Sequence, residues 1–109
     1  MFMRCAYFVG QPVASKAAEF QARLDEALKR YMGFERILSA QMLMARERED
    51  GAPNIYATLQ LCFRSEADLR AALASPFRTV MRAYFVEQVF PLFEGSVTHI
   101  NHDVSEQSA

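Results

Sequence analysis

At 109 residues, 51% hydrophobic and 12% aromatic, the chain has the size of one domain and enough apolar material for a real core. Its 12 basic and 13 acidic residues leave a formal net charge of −1, interspersed and without a basic stripe, which speaks against nucleic acid or an anionic membrane as partner. Cys5 and Cys62 form no Cys-x-x-Cys pair, no stretch has the length of a membrane helix, and the apolar run after Met1-Phe2-Met3-Arg4 is too short for a signal peptide; buried free thiols and a cytoplasmic location are expected.

Residues 5–9 form a β-rich run closed by Gly10-Gln11-Pro12, the first strand. Ser15 is placed to cap a helix in which Phe20, Leu24, Leu28 and Tyr31 recur at helical spacing, and Gly33 suits its stop. Two strands follow, near residues 34–45 and 54–63, around a turn at Asp50-Gly51. Alternation of side chains predicts one wholly apolar face, pairing Met44 with Ala57, Met42 with Leu59, Ala40 with Leu61 and Leu38 with Phe63. The other face pairs Leu43 with Thr58, Gln41 with Gln60 and Ser39 with Cys62. It is softer but carries no charge, whereas a sheet face open to water usually carries Lys, Glu or Arg. A second cover is therefore expected from another subunit, with Gln41, Thr58 and Gln60 in the dimer interface.

Ser65-Glu66-Ala67-Asp68 has the form of a capping box, with Asp in place of the usual Glu, and Leu69 and Leu73 begin a second helix. Ser75-Pro76 breaks it, because proline fits the first turn of a new helix and not the interior of an old one. A longer helix is expected from about Pro76, carrying Phe77, Val80, Met81, Tyr84 and Phe85, apolar nearly all round towards residue 93, and ended by Pro91 and Gly95. Residues 96–101 read as a last strand. One domain over residues 1–104 and a polar tail over 105–109 result. The order strand, helix, strand, strand, helix, strand with a right-handed crossover predicts an α+β, ferredoxin-like fold whose four-stranded antiparallel sheet carries both helices on one face. Burying the bare face against a twofold copy would make a homodimeric α+β barrel.

Three phrases accompany this element order: Glu19-Phe20 early in the first helix, Ser65-Glu66-Ala67-Asp68-Leu69-Arg70-Ala71-Ala72-Leu73-Ala74-Ser75-Pro76, and Phe93-Glu94-Gly95-Ser96-Val97-Thr98. Together they resemble the EthD-like group of the dimeric α+β barrel superfamily over about residues 4–104. The resemblance implies a role in degrading small hydrophobic compounds and an apolar pocket between sheet and helices in each subunit. Sister groups include cofactor-free monooxygenases of aromatic polyketides, lactone isomerases, polyketide cyclases and haem-handling enzymes. Many relatives carry Trp/Tyr-x-x-x-His-x-Pro in the first helix. Here the histidine's place falls at or near Leu28 with no proline following, so histidine chemistry does not carry over from that helix.

Neither a metal nor a cofactor is expected. His99 and His102 stand three apart in or beside one strand and should point to opposite faces, so they do not converge as ligands. The four glycines lie far apart, and no Gly-x-Gly-x-x-Gly, P-loop or Gly-x-Ser-x-Gly occurs. His99 titrates near neutrality and is either a catalytic proton carrier or a half-buried histidine bonded to a neighbour. Tyr7 and Tyr84 suit a hydrophobic ligand bearing one or two oxygens, or are core residues with satisfied hydroxyls. Met42, Met44 and Met81, with Phe77, line an adaptable substrate pocket or pack the core. The expected function is an enzyme or accessory acting on a hydrophobic oxygenated metabolite by cofactor-free oxygenation or proton transfer. The alternative is a non-catalytic hydrophobic-ligand-binding or assembly module.

Overall fold

In the computed structural model, which describes Met1–Ala109, alternating apolar residues build four strands: β1 (Phe2–Pro12), β2 (Ile37–Met44), β3 (Ile55–Phe63) and β4 (Phe93–Asp103). They form one antiparallel sheet in the order β2-β3-β1-β4. Helix α1 (Ala17–Tyr31) links β1 to β2; α2 (Glu66–Leu73) and α3 (Pro76–Tyr84) link β3 to β4. This is the ferredoxin-like α+β fold. Its core lies between one sheet face, with Phe8, Leu59 and Phe63, and the apolar stripes of the helices, with Phe20, Leu24, Leu69 and Met81.

The β2–β3 hairpin has the expected register from Met44–Ala57 to Ser39–Cys62. The expected Leu38–Phe63 pair is corrected. An irregularity between Ile37 and Ser39 sets Ile37 opposite Phe63 and against the core, leaving Leu38 42% exposed. One inserted residue exchanges the faces of everything beyond it. A second shift, in β3, sets Ala57 opposite Phe8 but Ile55 opposite Val9. The extra residue, Tyr56, packs its ring against Phe20 (5.8 Å between centroids) and Phe93 (6.3 Å).

β1 does not stop before Gly10, and Gly95 does not end a helix. The two glycines oppose each other in the β1–β4 pair, with φ of 138° and 151°. A Cβ on Gly10 would collide with the Glu94 carbonyl, and one on Gly95 with the Val9 carbonyl. The helical run after α3 ends earlier, in a π-helical turn (Phe85–Val89) and a 3-10 turn (Phe90–Leu92). Pro91 has no N–H to give the Glu87 carbonyl and its ring would strike it, so the last turn widens and the Phe90 N–H bonds the Phe85 carbonyl instead.

Ser15 is not the cap of α1. A Lys16-to-Val13 backbone turn leaves it at φ 64°, its hydroxyl donates to the Ala14 carbonyl, and Lys16 takes the cap position without a side-chain bond. Ser65 does cap α2, its Oγ accepting from the Asp68 N–H at 3.2 Å. The Asp68 carboxylate takes Arg36 at 3.3 Å.

The sheet face away from the helices carries Cys5 and Tyr7 of β1, Thr58, Gln60 and Cys62 of β3, Gln41 and Leu43 of β2, and Thr98, Ile100 and His102 of β4. None of these is Lys, Arg, Asp or Glu, and Leu43 and Ile100 stand 47% and 51% exposed. Both cysteines are free and buried. No helix is long and apolar enough to cross a membrane.

Candidate functional site

A cavity of about 420 Å³ opens between the helix-side sheet face and the α3 run, and 12 of its 16 lining residues are hydrophobic. That volume suits a drug-sized ligand. Its floor is β1 and β3, with Ala6 and Leu61; β4 supplies Val97 and His99 at one side, and Tyr31 and Phe34 close the α1 end. Its roof is the helical stripe Arg78, Met81, Arg82, Phe85 and Val86. In an unbroken α-helix that stripe would continue at Val89. The π turn advances it by one residue, so Val89 is fully buried in the core and Phe90, 41% exposed, comes to the cavity's mouth.

His99 lies opposite Ala6 in the β1–β4 pair, on the helix side of an edge strand. Its ring lines the cavity and still meets solvent. The protein packed around it, and then the charges of Arg4 and Arg78, push its pKa below the ordinary histidine value. At neutral pH it is a neutral imidazole with a free lone pair. Tyr31 is the opposite case: burial holds its hydroxyl protonated far above the ordinary tyrosine range, against the pull of Arg4. It is a fixed donor. Arg4 donates to Asn101 Oδ1 at 3.0 Å. Its pKa is lowered by burial and then by Arg78, from a value so high that it stays a cation.

Of the candidate catalytic and substrate-binding residues, His99 and Met81 line this cavity and the others do not. Tyr7 lies on the far sheet face, its hydroxyl 3.1 Å from His102 Nε2. An odd position in β1 points away from the helices, whereas Ala6 and Phe8 point towards them. Tyr84 is a core residue: its hydroxyl donates to the Arg23 carbonyl at 2.7 Å, and the Arg30 guanidinium sits 4.3 Å from its ring centroid. Met42 is on the helix side but in β2, the edge strand opposite β4, and packs against the core. Phe77 stands behind the cavity wall, edge-on to Phe34 at 4.8 Å. Gln41 and Gln60 face each other on the uncharged face, with Thr58 between Tyr7 and Leu43.

Arg4, Tyr31, Arg78 and Arg82 line the cavity without having stood among the candidate site residues. The signals were there. Arg4 is a charge at the same strand parity as Phe2, Ala6 and Phe8, and Arg78 and Arg82 stand four apart beside Met81 and Phe85.

No protein-family description matches the chain, and no curated protein matches it in sequence. Solved structures do. An ethyl tert-butyl ether D (EthD) family protein from Bacillus halodurans is 10% identical with a TM-score of 0.73, over 96% of this chain and 100% of the other. A dimeric ferredoxin-like protein from Jannaschia sp. is 14% identical with a TM-score of 0.65, over 95% and 100%. An antibiotic biosynthesis monooxygenase is 12% identical with a TM-score of 0.61, over 97% and 100%. At these identities the likeness establishes the shared fold.

Proposed function

We propose that the chain works as a homodimer closed through its uncharged sheet face, and that each cavity binds a hydrophobic, oxygenated small molecule to or from which His99 moves a proton. The observation that carries this reading is the placing of a neutral imidazole at the mouth of a mostly apolar 420 Å³ cavity. The base is uncharged and stands where apolar walls meet solvent, within reach of both a bound molecule and water. In the step proposed, His99 takes a proton from an enolic or phenolic O–H, or from a C–H beside a carbonyl. The electron pair stays on the substrate as an enolate or phenolate, which the Arg4 cation and the Tyr31 hydroxyl stabilise. The imidazolium then returns its proton to another atom of the substrate or to water. Cofactor-free oxygenation would begin with the same deprotonation, with dioxygen as co-reactant.

Dimer formation is supported by the absence of charge across the middle of the exposed face, where the carboxylate Glu94 stands only at the end, opposite Gln11, by Leu43 and Ile100 standing open on it, and by the dimeric structural neighbour from Jannaschia sp.. Non-catalytic binding is the second reading. It is favoured by His99 having no hydrogen-bonded carboxylate to orient it, as strong general bases commonly do.

The test uses 2-tetralone, a hydrophobic ketone with acidic α-hydrogens. Expected are saturable binding and accelerated α-deuterium exchange in D2O followed by NMR, with His99→Gln losing the exchange and keeping the binding. Binding without exchange leaves the storage reading; failure of 2-tetralone to bind overturns the cavity as a site for a neutral ketone. Sedimentation equilibrium at micromolar concentration should give twice the subunit mass, and Leu43→Lys with Ile100→Lys should give a monomer. A wild-type monomer would sink the dimer.

A further inference from the structure

The cavity contains three arginines, Arg4, Arg78 and Arg82, and no aspartate or glutamate lines it. None of the three joins an ion pair. The carboxylates paired in this molecule, Glu19, Glu26, Glu66 and Asp68, serve other cations. Arg4 and Arg78 donate only to neutral oxygens, Asn101 Oδ1 at 3.0 Å and the Leu73 carbonyl at 3.4 Å. A guanidinium has five N–H donors, so most of the fork on each remains open. Arg78 and Arg82 also stand one helical turn apart on the stripe that faces the cavity, where like charges repel. The charges of Arg78 and Arg70 already press on Arg4. A cluster of cations beside apolar walls, without a protein counter-charge, is complementary to an anion, and the planar guanidinium fork matches a carboxylate in two-point contact.

We infer that the cavity takes a hydrophobic carboxylic acid, its carboxylate held by Arg78 and Arg82 with Arg4 behind them, and its apolar body against Phe34, Phe85 and Phe90. This rests on the cavity being the ligand site. It adds a substrate class that the apolar lining alone does not imply: a neutral hydrophobe meets only the walls, while an acid meets the walls and the cations together.

The experiment compares 2-naphthoate with methyl 2-naphthoate, which have the same ring system and differ in charge. Binding is followed by naphthalene fluorescence and by calorimetry at low salt. Naphthoate should bind at least about tenfold more tightly than the ester, the ordinary worth of a charged hydrogen-bonded contact. Added salt should weaken naphthoate and leave the ester unchanged. Arg78→Gln with Arg82→Gln, which removes the charges and keeps most of each stem, should lower the affinity for naphthoate about tenfold more than that for the ester, and Arg78→Lys with Arg82→Lys should recover part of the difference. Equal affinities for acid and ester, or an arginine variant that weakens both alike, would overturn the anion inference while the cavity reading stands. Failure of both probes together with 2-tetralone would overturn the cavity reading and this inference with it.

Discussion

Ala6 and His99 oppose each other across the β1–β4 pair, and the single methyl of Ala6 is what keeps the cavity floor open beside the imidazole. A larger side chain there would project into the same space. Ala6→Leu should therefore lower 2-naphthoate affinity by about tenfold or more while the sheet stays folded, because overpacking of this size costs about 1–3 kcal/mol and the cavity absorbs part of it. Fluorescence titration beside far-UV circular dichroism checks it.

His99 sets a pH dependence of known sign. Its folded-state pKa lies below its unfolded value near 6.5, by burial first and then by Arg4 and Arg78. The unfolded chain therefore takes up this proton first. The contribution of His99 to stability is fully present above the unfolded value and is lost as pH falls through the folded one. Urea midpoints measured between pH 4 and 8 should fall on acidification less steeply in His99→Gln than in the wild type. Proton exchange on 2-tetralone should be flat at neutral pH and fall only below the ordinary histidine range.

Gly10 and Gly95 are required by close approach rather than by turn formation. Gly95→Ala should cost about 2 kcal/mol or more, through strain at positive φ and collision with the Val9 carbonyl. Thermal unfolding reads the loss. Hydrogen exchange should localise it to the last residues of β1 and the first of β4.

Tyr84→Phe removes the hydroxyl that donates to the Arg23 carbonyl at 2.7 Å. Stability should fall by about 1 kcal/mol, the net worth of such a bond. Binding of 2-naphthoate should not change, because Tyr84 does not line the cavity. Tyr31→Phe should do the reverse, sparing stability and weakening 2-tetralone exchange.

The elements of this fold were legible in the chain because their causes are local. Period-two alternation marked β2 and β3 and predicted most of their register. Helical spacing marked α1, Ser65 marked the start of α2, and Ser75-Pro76 placed the break before α3. The uncharged second face was legible too, since parity along a strand assigns faces without knowledge of what covers them. Leu38 escaped because a single inserted residue undoes parity and leaves no local trace. The lengths of β1 and β4 escaped because the Gly10–Gly95 crossing joins residues 85 apart in sequence.

The site belongs to the tertiary structure. The mixed pattern of β4 does not say which way His99 faces; its pairing with Ala6 does. Arg4, Tyr31, Arg78 and His99 come from a strand, a helix end, a second helix and the far edge strand, and only packing brings them round one space. Short-range patterning determines which side of each element is apolar, because it depends on neighbours one turn or two residues away. Which charged groups share a cavity depends on how those elements are stacked, and that was decided only when the strands paired and the π turn brought Phe90 into line.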